Sequence, residues 1–251
     1  MQPILIAGVH RSGTSWVARA LHLAGAHLGE ELLGAEPSNP YGHFEDERVI
    51  ALHDDALATQ GLTWKSTTAL TRPGNDVLEA AIGELVAERR GLVQPWAIKD
   101  PRLCLFLPEW LLAAPDARVV VVIRRPDEVV QSLHRRHAKR WVDTNHLDPS
   151  DIAFWQKPDL GLRLWIHYNE QLLSSLQQVD DENTHVVRWH DGEGLANLTA
   201  DVEAKWELGL SSAAIDRDDS LGQRASAPIE VRDTALIERA SAVWRSLEGL
   251  G

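Results

Sequence analysis

The chain has 251 residues, 44% hydrophobic and 25% charged, with a formal net charge of -12. That length suits one domain spanning 1–251, and the acidity argues against nucleic acid or an anionic membrane as a partner. A lone cysteine, Cys104, leaves no disulfide framework; it reads as a buried small hydrophobe in a reducing compartment.

The opening MQPILIAGVH has no basic leader, and its apolar run is too short for a signal peptide. No stretch approaches the roughly 18 apolar residues of a membrane span, so a cytoplasmic protein is expected. Residues 4–8 (ILIAG) read as the first strand and 15–25 as the helix after it. Residues 34–48 (GAEPSNPYGHFEDER) form a turn-rich connection. A short strand is expected at 96–98 (WAI) and the clearest one at 117–123 (ARVVVVI), followed by a helix over 126–139. A continuous β-branched run bounded by charge is the pattern of a strand covered on both faces, hence of a parallel sheet. Residues 143–159 (DTNHLDPSDIAFWQKPD) read as a long loop or lid. Leu164, Tyr168, Leu172 and Leu176, spaced by four, predict a helix over 160–178. A fourth strand is expected at 184–189 (THVVRW), a polar surface segment at 211–230, and a last helix at 232–248 carrying Ile237 and Trp244. Alternating strands and helices predict an α/β fold with a central, mainly parallel sheet.

Two anion sites stand out. The spacing Gly8-x-x-x-x-Gly13, between a strand and a helix, fits a phosphate loop. Thr14 stands where a nucleotide kinase carries Lys, and the cation, Arg11, lies inside the loop. Backbone N–H groups from Ser12 to Ser15 are expected to face one phosphate. Thr14 and Ser15 add hydroxyls and Arg11 a charged fork. A plain turn with an N-cap is the bland alternative. The second site follows the third strand. Arg124 ends the strand, Pro126 and the acids Asp127 and Glu128 suit a helix start, and Ser132 and Arg136 lie one turn apart. Residues 124–140 carry six Lys/Arg against two acids in a chain of net -12. A solvated face accounts for Arg135, Lys139 and Arg140 but less well for Arg124, Pro126 and Ser132. A nucleotide with phosphates at both ends needs two such sites, and 3′-phosphoadenosine 5′-phosphosulfate (PAPS) is one.

Here the chain resembles the PAPS-dependent sulfotransferases. HRSGTSW resembles their 5′-phosphosulfate loop, and Arg124, Pro126 and Ser132 match their 3′-phosphate motif. IKDPRLCLFLPEW resembles the Lys-Asp-Pro segment of bacterial and tyrosylprotein-type members. NPYGHFEDERVIALHDDAL with Trp64 resembles a stretch of the bacterial proteins that begin HRSGTS. The resemblance runs from residue 4 to about 190. It implies a P-loop-type three-layer α/β/α fold, PAPS as donor with 3′-phosphoadenosine 5′-phosphate (PAP) as product, and no required metal. It implies Arg11 at the leaving phosphate, Lys99 at the sulfuryl or bridging oxygen, and Trp16 near adenine, where a core Trp is the alternative.

An acceptor hydroxyl needs a general base. Cytosolic sulfotransferases place a His two residues after the equivalent Lys; Pro101 stands there in this chain. Glu45 is the first candidate, with Glu31, Asp100 and His43 behind it, although Glu45, Asp46 and Glu47 also suit a cap on a helix starting near Arg48. Trp110, Trp165, Trp189, Trp206 and Trp244 fall in helix or strand patterns and read as core. Trp64, Trp141 and Trp155 lie near loops that border an acceptor, whether small molecule, carbohydrate or peptide. No Cys/His set has metal-ligand spacing. The rival readings are a P-loop kinase of a small molecule and a non-catalytic PAP-binding protein.

Overall fold

Four β-branched or otherwise apolar runs become strands: β1 (Pro3–Ala7), β2 (Trp96–Lys99), β3 (Arg118–Ile123) and β4 (Thr184–Arg188). They pair in the order β2-β1-β3-β4, every neighbouring pair parallel. This is a computed structural model; it describes all residues except 36–38, 40, 72–75, 145–148, 191 and 212–229. The side chains of 137–144, 149–151, 155 and 192–194 also lie outside the description. Trp141, Trp155, Lys139, Arg140 and nearly all of the expected polar segment 211–230 therefore lie outside the described residues.

Because strand side chains alternate, each strand feeds two cores. Leu5 and Ala7 join one apolar cluster, Ile4 and Ile6 the other; Val119 and Val121 divide from Val120 and Val122 in the same way. The second cluster is covered by α1 (Thr14–Leu23) and α8 (Gly192–Trp206). The first is covered by α2 (Glu47–Ala58), α3 (Asp76–Arg90), α4 (Leu103–Ala113), α5 (Pro126–Thr144), α7 (Pro158–Leu176) and α9 (Thr234–Glu248). The result is three layers, helices–sheet–helices, as expected from the resemblance.

The stretch 143–159 departs from its expected loop. Helix α5 runs on to Thr144, and a further helix, α6 (Pro149–Gln156), precedes α7. Pro149 and Pro158 each open a helix, where a missing N–H costs nothing because that amide has no intrahelical acceptor. The Pro- and Asp-rich composition that read as a loop is here a set of helix starts. Among the described residues no helix is long and apolar enough to cross a membrane.

Candidate active site

In an all-parallel sheet the carboxyl ends of the strands share one edge, and here each strand delivers a residue to a cavity of about 260 Å³ at that edge. Arg11 sits in the loop after β1, Lys99 ends β2, Arg124 follows β3, and Trp189 follows β4.

The loop after β1 is tightly held. A Cβ on Gly8 would stand 2.6 Å from the Val122 carbonyl and 2.8 Å from Ser12 Oγ, so only glycine fits under the loop. Ser12 is placed differently from expectation: its N–H donates to the Val9 carbonyl at 3.0 Å, and its hydroxyl is fully buried beneath the loop. Gly13 precedes α1, and Thr14 and Ser15 open it, so their amides have no intrahelical acceptor. Gly13 has φ +106°, and a Cβ there would collide with the Trp189 indole. Arg11 adopts φ +70°, a left-handed conformation rare for a long side chain, and its Nε donates to Ser132 Oγ at 3.0 Å. The two sequence motifs meet in that hydrogen bond.

Arg124 donates from NH1 to the Arg11 carbonyl at 3.0 Å and from Nε to Glu128 at 2.8 Å; its guanidinium lies 5.5 Å from the Trp189 ring centre. Arg136, one turn beyond Ser132, lies 5.9 Å over the Trp64 ring. Burial, and then the neighbouring Arg136, Arg124 and Arg135, pull the Arg11 pKa down to about 10. The local field therefore remains positive at that side chain. Trp189, expected in the core, is instead a cavity wall, edge-on to Trp16 with ring centres 6.4 Å apart. Its position just past a strand end, shared with Arg124, was the available signal.

Lys99 is almost fully buried. Its ammonium donates to Ser15 Oγ at 3.1 Å, to the His43 carbonyl at 3.0 Å and to Glu45 Oε1 in a short ion pair. Three donors meet three acceptors. Glu45 is carried on an antiparallel pairing of residues 31–33 with 43–47, in which Leu33 N–H donates to the Glu45 carbonyl at 2.8 Å. Phe44, immediately before it, has φ +56°. The capping reading also holds, one residue along: Asp46 caps α2, accepting from the Arg48 N–H at 2.8 Å, and Glu47 begins the helix. Asp46 in turn forms a buried ion pair with Arg89 of α3, whose other amino group reaches the Leu28 and Ala97 carbonyls at 3.4 Å each. Ala97 lies two residues before Lys99, so Arg89 links the segment carrying Glu45 to the strand carrying Lys99.

The other base candidates are placed elsewhere. Glu31 is exposed and does not line the cavity. Asp100 is fully buried, with both oxygens on Arg102 and one accepting from His53 Nδ1 at 3.0 Å. Trp110 donates its indole N–H to His53 Nε2 at 2.9 Å, so Nδ1 of a neutral His53 carries the proton and donates to Asp100. Burial raises the Asp100 pKa, but Arg102 and then His53 outweigh it and hold the carboxyl well below its ordinary range. Asp100 is a structural carboxylate. His43 lines the cavity, with its ring 3.9 Å from Glu45.

The remaining wall is aromatic. Trp64 lies against His10 with ring centres 4.5 Å apart and planes tilted by 43°, and Tyr168 donates its hydroxyl to the Trp64 carbonyl at 2.7 Å. Of the tryptophans read as core, Trp110 and Trp165 are fully buried and Trp206 nearly so. Cys104 is buried, and burial pushes its thiol pKa up, as expected of an unreactive cysteine. Among the described residues no group of three or more His, Cys, Asp or Glu is placed to hold a metal ion.

A parallel sheet whose strand ends gather cations around a glycine loop belongs to the P-loop-like α/β class. The model of the Sulfotransferase family matches residues 3–195, and the chain belongs to that family. A sulfotransferase from Alicyclobacillus acidocaldarius aligns with 100% of this chain and 95% of its own length at 14% identity, TM-score 0.59. The sulfotransferase domain from the Synechococcus PCC 7002 olefin synthase aligns over 96% and 94% at 18% identity, TM-score 0.53. That from the curacin biosynthetic pathway aligns over 99% and 98% at 14%, TM-score 0.51. No curated protein sequence matches the chain.

Proposed function

We propose that this protein, a single domain acting in the cytoplasm, moves the sulfuryl group of PAPS to a hydroxyl or amine acceptor by in-line transfer. The observation that carries the reading is the Lys99 ammonium, held at once by the phosphate-loop helix through Ser15 and by the Glu45 carboxylate. In this reading Lys99, at the end of β2, is the charge-neutralising cation and its partner Glu45 the proton acceptor.

The residues present fit the donor. Gly13, Thr14, Ser15 and Arg11 would hold its 5′-phosphosulfate, and Arg124, Ser132 and Arg136 its 3′-phosphate. Burial first, and then the neighbouring Arg136, Arg124 and Arg135, lower the Arg11 pKa, and the positive charge of those neighbours favours an anion there. Trp16 and Trp189 would flank the adenine; the Trp16 indole N–H is buried with no hydrogen-bond partner among the described residues, as a group awaiting a ligand would be. PAPS supplies the sulfuryl group and leaves as PAP. Glu45 takes the proton of the acceptor hydroxyl while the S–O bond to the acceptor forms and the S–O bond to the 5′-phosphate breaks. Lys99 and Arg11 neutralise the charge that collects on the bridging oxygen. A loose transition state of this kind asks mainly for positioning and fixed charge, and these cations supply both in place of a metal ion. Small molecules, carbohydrates and peptides are all candidate acceptors for the Trp64 side.

Calorimetric titration with PAP in the absence of metal, beside ATP with Mg²⁺, tests the reading. Micromolar or tighter PAP binding, weakened by Arg124→Ala and by Ser132→Ala, supports it. Binding of ATP but not PAP would replace it with a small-molecule kinase.

A further inference from the structure

The cavity's cations divide by what neutralises them. Lys99 is paired with Glu45, Arg102 with Asp100 and Asp54, and Arg124 with Glu128. Arg11 and Arg136 belong to the donor side in the reading above. Arg19 also lines the cavity, half-buried, and has no carboxylate or hydrogen-bond partner among the described residues. Its guanidinium lies instead 4.5 Å over the ring of Tyr41, itself 46% exposed.

Position on α1 says which part of the cavity Arg19 serves. It follows Ser15 by one helical turn, about 6 Å along the axis, and lies about 40° from Ser15 and about 60° from Trp16 around it. Helical side chains lean toward the N-terminus, so the guanidinium leans back toward the cavity. Ser15 touches Lys99, and Tyr41 stands on the segment that carries Glu45 four residues later. Arg19 thus lies between Ser15 and Trp16 around the helix, one turn beyond Ser15, and its contact with Tyr41 sets it as a cation on an aromatic platform beside the segment that carries Glu45.

We propose that Arg19 is a specificity residue for the acceptor, and that the acceptor carries an anionic group roughly 6 Å or somewhat more from the hydroxyl that receives the sulfuryl. A hydroxyl held at Glu45 and a body lying along Tyr41 bring such a group to the guanidinium. This deepens the reading above and rests on it.

Two phenols of one shape test it: 4-hydroxyphenylacetate, which is anionic, and its amide, which is neutral. Each is titrated by calorimetry into the complex of the full chain with PAP, for the native protein and for Arg19→Gln. The expected result is that the native complex binds the carboxylate at least about tenfold more tightly than the amide. In Arg19→Gln the two bind alike, and PAP affinity stays within about threefold of native. Equal binding of the two phenols by the native complex, or a preference that survives Arg19→Gln, overturns the proposal. A loss of PAP affinity in Arg19→Gln overturns it too, by assigning the residue to the donor. Failure of the native protein to bind PAP is seen before either phenol is added, and it strikes the donor reading itself.

Discussion

Lys99 and Glu45 form a buried ion pair in which the lysine's two remaining protons go to Ser15 and to the His43 carbonyl. A carboxylate so held has one oxygen on the cation and the other available to a substrate proton. Replacing Glu45 with Gln keeps its shape and removes its basicity. The expected outcome is a fall in kcat of about 10²–10⁴ with PAP affinity within a few-fold of native. An unpaired buried Lys99 also lowers thermal stability. A variant that keeps more than a tenth of native kcat, measured as PAP released in the presence of acceptor, would remove Glu45 from the base role.

Arg124 and Ser132 come from a strand end and from the second turn of α5, yet both converge on Arg11. Alanine at either is expected to weaken PAP by about 1–3 kcal/mol, the range for hydrogen bonds to a charged group. Since Ser132 also orients Arg11, the double variant should lose less than the sum of the singles. Strict additivity in calorimetry would argue that the two act on separate parts of the ligand.

Arg89 is remote from the cavity but joins Asp46 to the Ala97 carbonyl. Arg89→Lys keeps the charge and loses the fork that spans both partners. The expected signature is a lower kcat with an unchanged PAP affinity, because Glu45 and Lys99 lose their mutual alignment while the phosphate loop does not. Parallel losses of kcat, PAP affinity and melting temperature would mark the residue as structural only.

Gly13→Ala is expected to abolish PAP binding, because its φ of +106° and the Trp189 ring both exclude a Cβ. Adding Trp189→Ala removes the collision but not the backbone strain, so the pair should recover folding further than it recovers affinity. Full recovery of PAP binding in the double variant would show the ring, not the backbone, to be the constraint.

His10 gives a pH signature. Burial first, then the charges of Arg102 and Arg136, hold its pKa well below 6.5, against a smaller opposing pull from Asp100. The unfolded chain takes up this proton near 6.5 and the folded chain does not, so the unfolded state binds more protons as pH falls. Stability is therefore complete above the unfolded value and declines as pH drops through 6.5 toward the folded value, by up to about 1.4 kcal/mol per unit. His167 and His185, also lowered chiefly by burial, tilt the curve the same way. Urea unfolding at pH 7.5, 6.0 and 5.0 should show a shallower slope for His10→Asn than for the native chain. Identical slopes would mean that His10 takes up its proton as readily in the fold as in the unfolded chain.

The strands were legible because a parallel strand covered on both faces must be apolar at every position, and 118–123 has no other plausible reading. α7 was legible from the four-residue spacing of Leu164, Tyr168, Leu172 and Leu176, α1 from its place after the first strand, and α9 from its apolar positions. α4 was not: LCLFLPEWLLA is buried on nearly all sides, so it shows no periodicity, and Pro108 stands inside it. α6 was hidden by prolines that read as loop and serve as helix starts.

For the site, the sequence by itself determined the two motifs, their order and their residue types, because a loop packed as tightly as this one must have glycine where a Cβ would obstruct, as at Gly8 against the Val122 carbonyl. It named Lys99 and Glu45 without joining them. Only the tertiary structure decided that they form a pair, that Glu31 stays exposed while Asp100 is buried on Arg102 and His53, and that Trp189 closes the cavity rather than filling the core. The reason is that local sequence sets conformation and periodicity within an element. Whether a carboxylate is a base, a cap or a buried anchor depends on what parallel strands, separated in the chain by whole helices, bring to the same edge of the sheet.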